Sequence, residues 1–203
     1  MNAPATSMDA LDDRLITAPL YSPAGWPTVA GRYVAAMAAR PPVRSSGILL
    51  YRSMHVTDGD DVLEILIGHM GGPFWAAKEQ AAWTIPKGLV DVGDIDDLTA
   101  ARREFREETG QEVPTSDLID LGVFAQSRTK EIHIWAGRGD LDPALCASNT
   151  FEMEWPPKSG QTQHFAELDR FDWCSLAVAE DRLVAGQRPV LDALKTVACT
   201  DTA

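Results

Sequence analysis

Apolar and polar positions alternate differently in two parts of this chain. From Ser45 onward, short apolar runs of strand length are separated by polar, Gly- and Pro-bearing connections. Residues 1–44 are rich in Ala and Pro and carry no strong strand signal, so they read as an extension, partly disordered at its start. Within it, residues 31–40 predict a helix on their alanine content, ended by Pro41-Pro42. Residues 47–51 and 62–67 predict strands joined by a loop through Asp58-Gly59. Residues 69–82, with Gly71-Gly72-Pro73, predict a loop, and residues 83–85 a short strand. Residues 96–109 predict a helix stopped by Gly110. Further strands are expected at 121–124, 131–135 and 171–174, and a helical tail at 176–200, interrupted near Gly186 and Pro189. Glu152 and Glu154 alternate with Phe151, Met153 and Trp155, which in a strand places both acids on one face. No regular βαβ alternation is present, so the expected class is α+β, with residues 45–203 as one domain.

Composition narrows the function. A formal net charge of -12 argues against a general binder of nucleic acid or anionic membrane. A nucleotide substrate stays compatible, because a bound divalent cation reverses the local field. Three cysteines, Cys146, Cys174 and Cys199, form no paired metal spacing and favour a reducing compartment. His55, His69, His133 and His164 are scattered, without zinc spacing. No apolar run reaches bilayer length and the start lacks a signal-peptide pattern, so the expected location is the cytoplasm.

The densest charge pattern is Arg103-Glu104-Phe105-Arg106-Glu107-Glu108-Thr109-Gly110. At about 100° per residue, Glu104, Glu107 and Glu108 fall within one arc of a helix. Leu98, Ala101 and Phe105 follow apolar spacing on a neighbouring side. Taken alone, such a face reads first as a solvated surface laced by i,i+4 ion pairs. It also reads as a site for a hard divalent cation, for which carboxylate oxygens are natural ligands.

The flanking residues carry a resemblance. Arg103, Glu104, Phe105, Glu107, Glu108 and Gly110, preceded by Pro86-Lys87-Gly88, are similar to the Nudix hydrolase signature G-x5-E-x7-R-E-U-x-E-E-x-G-U, where U is bulky and apolar. Three positions depart from it. Asp94 stands for the early Glu, eight residues instead of seven separate it from Arg103, and Gln111 occupies the last apolar slot. The loop and helix junction is expected to absorb the extra residue, with Asp96 or Asp97 capping the helix. The stretches around Gly71-Gly72-Pro73, Trp83 and residues 148–157 resemble a bacterial Nudix subgroup of predicted nucleoside triphosphate pyrophosphohydrolases.

The resemblance implies an α/β/α sandwich around a mixed sheet and hydrolysis of a pyrophosphate bond in a nucleoside diphosphate linked to another moiety. It implies Mg2+ or Mn2+ held by Glu104, Glu107, Glu108 and the Lys87 carbonyl, with Arg103 orienting the cluster. Glu167 is the candidate for the family's additional acid, as ligand or general base. Gly88, Asp94 and Gly110 are expected to support the site. Phe74, Trp75, Lys78, Lys130, Glu152 and Glu154 are candidate substrate contacts; for each, an ordinary loop anchor or wet surface is the competing reading. The implied partner is a small nucleotide, with no membrane, nucleic acid disfavoured and self-association open. The alternative function is a nucleotide-sensing module without turnover.

Overall fold

A computed structural model describes residues 41–55 and 62–198. The helix expected at 31–40, the Asp58-Gly59 loop and the last residues of the tail lie outside the described residues. The elements are β1 (Val43–Met54), β2 (Val62–Met70), β3 (Trp83–Thr84), β4 (Lys87–Leu89), α1 (Asp97–Thr109), β5 (Leu118–Ser127), β6 (Lys130–Arg138), β7 (Thr150–Glu154), β8 (Thr162–Ala166), β9 (Leu168–Ser175), α2 (Leu176–Arg182) and α3 (Pro189–Ala198). Short 3-10 turns lie at Pro143–Leu145 and Ala185–Gln187.

Seven strands form one mixed sheet in the order β3-β2-β1-β6-β5, with β4 also on β1 and β9 on β2. The β1–β6 pair is parallel, from Val43↔Lys130 to Tyr51↔Arg138, and the other pairs are antiparallel. β7 and β8 make a separate two-stranded sheet. Strand β1 is buried without interruption from Ser45 to Tyr51, as expected of a strand covered on both faces. Its alternate side chains divide the core. Ile48 and Leu50 pack with Leu66 against Ala101 and Phe105 of α1. Leu49 and Tyr51 pack with Ile65 and Ile67 against Ala179, Leu183, Val190, Leu191 and Leu194 from α2, α3 and the segment between them. Helices on opposite faces make the α/β/α sandwich. No helix among the described residues is long and apolar enough to cross a membrane.

Most strands run longer than their apolar cores suggest: β1 starts at Val43, before the expected boundary, and β5 spans Leu118–Ser127. β4 and β8, with little apolar content, are not visible in the pattern. The apolar stripe of α1 runs through Ala100, Ala101 and Phe105, while Leu98 is only half-buried. The first turn of α1 is instead tied to the sheet by polar contacts: Asp97 pairs with Arg44 at 2.6 Å and faces His133 Nδ1 at 2.7 Å. His133 Nε2 lies 2.7 Å from Asp120 on β5.

The break between α2 and α3 carries a buried polar lock. Gln187 is fully buried; its Oε1 accepts from the Ile85 N–H at 2.9 Å, and its Nε2 donates to Thr84 Oγ1 at 2.9 Å. Ile85 lies between β3 and β4, so this contact sets the chain entering the site. Gln187→Leu removes both contacts while keeping the volume, leaving the Ile85 N–H unpaired and the Thr84 hydroxyl with the Ile85 carbonyl at 3.1 Å as its remaining partner. The expected loss is about 1–3 kcal/mol of unfolding free energy, read from urea denaturation midpoints at unchanged slope.

Candidate active site

Helix α1 is bounded by its own side chains. Asp96 caps it, accepting from the N–H and the hydroxyl of Thr99, each at 2.7 Å. Gly110 ends it in the left-handed region at φ 68, donating to the Arg106 carbonyl. The extra residue between Asp94 and Arg103 is absorbed before the cap, in an exposed turn closed by Asp91 N–H donating to Asp94 Oδ2 at 2.8 Å. Val92 and Ile95 in this turn point into solvent. Asp94 still reaches the helix: Arg103 donates to it from Nε at 3.1 Å and from Nη2 at 2.8 Å. That guanidinium holds the Asp94 carboxyl below its ordinary range, with a further contribution from the Asp91 backbone.

Arg103 also gathers the carboxylate face. Its Nη1 donates to Glu104 at 2.6 Å and to Glu107 at 3.3 Å, and its Nη2 to the Leu89 carbonyl at 2.9 Å. Glu104 points at β4, where a Cβ on Gly88 would stand 1.9 Å from Glu104 Oε2. A side chain at this position would displace the carboxylate. Glu108 is nearly buried and accepts from the Lys87 N–H at 2.8 Å. Burial raises the Glu108 carboxyl to about 7; Lys87 opposes the rise, and Glu104 and Glu167 add to it by repulsion. Burial also raises Glu104, outweighing its pairing with Arg103.

The opposite wall comes from residues distant in sequence. After α1, Ala147 N–H donates to the Thr109 carbonyl at 3.0 Å and Asn149 N–H to the Glu107 carbonyl at 3.3 Å. These contacts satisfy carbonyls at the helix end that have no partner within the helix. Glu167 N–H then donates to the Asn149 carbonyl at 2.9 Å. The β7–β8 hairpin thus leaves and returns at the site, with Asn149 before it and Glu167 after it.

One cavity of about 460 Å³ is lined by Lys87, Gly88, Asp91, Arg103, Glu104, Glu107, Glu108, Asn149 and Glu167, with Met70, Thr84, Leu89 and Leu168 completing its wall. It brings together every expected residue of the helix face with Lys87, Gly88 and Glu167, and Asp94 joins through Arg103. Phe74, Trp75, Lys78, Glu152 and Glu154 are not in its lining. Phe74 is exposed and meets Trp155 edge-on at 5.5 Å, and Lys78 Nζ sits 4.6 Å over the Trp75 ring. Glu152 lies 3.6 Å from His164 across the hairpin, and Glu154 accepts from the Gly160 N–H at 2.8 Å. Asp91, Asn149, Thr84 and Met70 were not singled out by sequence; Asn149 lies in a stretch recognisable only as a block.

The donors are all oxygens, which suits a hard divalent cation and not a soft one. The space against Gly88 that a Cβ would fill holds a carboxylate aimed into the cavity. Among the described residues no three His, Cys, Asp or Glu side chains already converge on a single ion position; Glu104 is turned to Arg103.

The raised Glu108 carboxyl has a consequence for stability. Below its ordinary value of 4.5 it is protonated folded and unfolded alike; between there and about 7 only the folded state keeps the proton. Folding stability therefore falls as pH rises through that window. In chelator, the thermal midpoint is expected to drop between pH 5 and pH 8, and Glu108→Gln to remove much of that drop. Parallel pH profiles of the two proteins would show that the burial is not felt.

A family model for the NUDIX domain matches residues 54–194. The chain is 31% identical over 99 residues to a bis(5'-nucleosyl)-tetraphosphatase (asymmetrical) of Mus musculus, a match covering 46% of this chain and 63% of the mouse protein. It is 28% identical over 124 residues to an RNA pyrophosphohydrolase of Agrobacterium fabrum, covering 54% of this chain and 67% of that protein. Among solved structures, a mutT/nudix family protein from Listeria innocua shares its fold at a TM-score of 0.54 and 18% identity, over 81% of this chain and 98% of that one. With the family model spanning more than half of its length, the chain belongs to the NUDIX domain family and is a Nudix hydrolase.

Proposed function

We propose that this chain hydrolyses a pyrophosphate bond in a small nucleotide, a nucleoside diphosphate linked to another moiety, with the help of Mg2+ or Mn2+. One observation carries the reading: acids from two distant stretches, Glu104, Glu107 and Glu108 on α1 and Glu167 before β9, line the same cavity. Its volume of about 460 Å³ falls in the usual range for small-ligand sites. The net charge of -12 weighs against a long polyanion.

The residues that would hold the cation are Glu104, Glu107, Glu108 and Glu167, with the Lys87 carbonyl. Bound there, a divalent cation supplies positive charge against the phosphoryl oxygens and lowers the barrier to attack on phosphorus. The protein's own groups do the rest. Arg103 and Gly88 fix where Glu104 points. The Lys87 N–H fixes Glu108. Glu167, facing the helix from the opposite wall, is the carboxylate assigned to take a proton from the attacking water. The mouse tetraphosphatase and the Agrobacterium RNA enzyme are both named for cleavage of phosphate chains, which supports the bond type and leaves the substrate to assay.

The test is a panel of a nucleoside triphosphate, a dinucleoside tetraphosphate, a nucleotide sugar and a 5'-triphosphorylated RNA, each with Mg2+ and with Mn2+, and products identified by mass. Turnover of a small nucleotide is expected; preference for the RNA, or no turnover of any, contradicts the reading. Within the same assay, Glu107→Gln is expected to lower kcat by several powers of ten with the fold intact, because it removes a charge from the cavity and no core contact. Asp94→Asn, which weakens the brace on Arg103 and the turn at Asp91, is expected to cost far less. Equal damage from the two would place Asp94 in the metal site itself.

A further inference from the structure

His69 is fully buried and lies outside the cavity lining. Both of its ring nitrogens are engaged. Nε2 donates to the Lys78 carbonyl at 2.8 Å, and Nδ1 lies 2.6 Å from Asp169 Oδ1. The ring meets Trp83 edge-on at 5.1 Å. A histidine so enclosed serves by fixing what it touches, and its two partners belong to segments far apart in the chain. Lys78 belongs to the loop between β2 and β3. Asp169 stands two residues after Glu167.

The pairing of β2 with β9 shows why that position matters. Partners run in register from Glu64↔Ser175 to His69↔Arg170, then shift, so that Met70 faces Leu168. Asp169 is the extra residue, a bulge with no partner across the ladder. A bulge bends its strand and re-aims the side chains beyond it, and a one-residue slip exchanges the faces of a strand. Here Leu168, beyond the bulge, is buried, and both it and Glu167 line the cavity. The Gly71 N–H donating to the Glu167 carbonyl at 2.8 Å closes the loop onto the same point.

We propose that His69 and Asp169 are positioning residues: their part-buried contact locks the bulge that aims Glu167 across the cavity at the carboxylates of α1. The proposal rests on the reading of Glu167 as a site residue. Neither His69 nor Asp169 touches substrate; both act through Glu167. Loss of such a supporting contact typically lowers activity or metal affinity by about 10–100-fold.

The experiment measures kcat and KM for a dinucleoside tetraphosphate at saturating Mg2+, and Mn2+ affinity without substrate by electron paramagnetic resonance. The variants are His69→Phe, Asp169→Ala, Asp169→Asn and Glu167→Gln, with the first two also placed in the Glu167→Gln background. Asp169 is one-third exposed, so Asp169→Ala carries the test if His69→Phe fails to fold. Asp169→Ala is expected to lower kcat about 10–100-fold with KM little changed, and to weaken Mn2+ binding. Asp169→Asn, whose amide can donate to Nδ1, is expected to recover most of the loss. In the Glu167→Gln background neither substitution should reduce kcat further, because there is no carboxylate left to aim. Additive losses in that background, or no loss from Asp169→Ala where Glu167→Gln is impaired, overturn the positioning role alone. A Glu167→Gln enzyme as active as the wild type overturns the reading of Glu167 and the positioning role with it.

Discussion

Carboxyl groups on one arc of a helix repel one another, and holding three of them there is the constraint around which this molecule is arranged. Hydrophobic packing fixes the rotation of α1: Ala101 and Phe105 seat against Ile48, Leu50 and Leu66, which turns Glu104, Glu107 and Glu108 toward β4 and away from the core face. Each acid is then held by a different device. Glu108 is anchored by the Lys87 N–H, Glu104 by the space over Gly88, and Glu104 and Glu107 together by Arg103. Arg103 is in turn braced by Asp94. Burial works against all of this, since it raises Glu104 and Glu108 from their ordinary range. A helix face built only for solubility would leave these acids in water; here one of them is nearly buried and its charge is resisted.

The second wall of the site depends on the same helix. Carbonyls of Glu107 and Thr109 receive the N–H groups of Asn149 and Ala147, and the Asn149 carbonyl receives the N–H of Glu167. A hydrogen-bonded path therefore runs from the C-terminal turn of α1 to the acid facing it. From the sheet side, the β2–β9 ladder ends in the bulge at Asp169. Glu167 is held between a helix end and a strand irregularity, where backbone direction is set by packing on both sides.

Local signals in the sequence were sufficient for the helix and its acids. Asp96, Gly110 and the spacing of Ala101 and Phe105 fix the limits and phase of α1 from residues within a few turns of one another. The continuous apolar run of β1 and the interruption at Gly186 and Pro189 were legible for the same reason. Strands β4 and β8 were not, because they are short, carry few apolar residues and take their strand character from the partner beside them. Long-range contacts were equally silent. Gln187 meets Ile85 across 102 residues and His69 meets Asp169 across 100, and neither type of residue announces a partner from its neighbours. Glu167 was reached through family resemblance, while the bulge beside it has no signature short of the register itself.

The most direct test of the carboxylate arrangement is the proton count on cation binding. Metal ligation requires the ionised carboxylate, so a group that holds a proton near neutral pH must give it up when an ion arrives. Isothermal titration of the protein with Mn2+ near pH 6, in two buffers of different ionisation enthalpy, measures that proton. The arrangement predicts binding accompanied by proton release, with the release lost in Glu108→Gln. Binding that releases no proton, or no binding of Mn2+ at millimolar concentration, would contradict it.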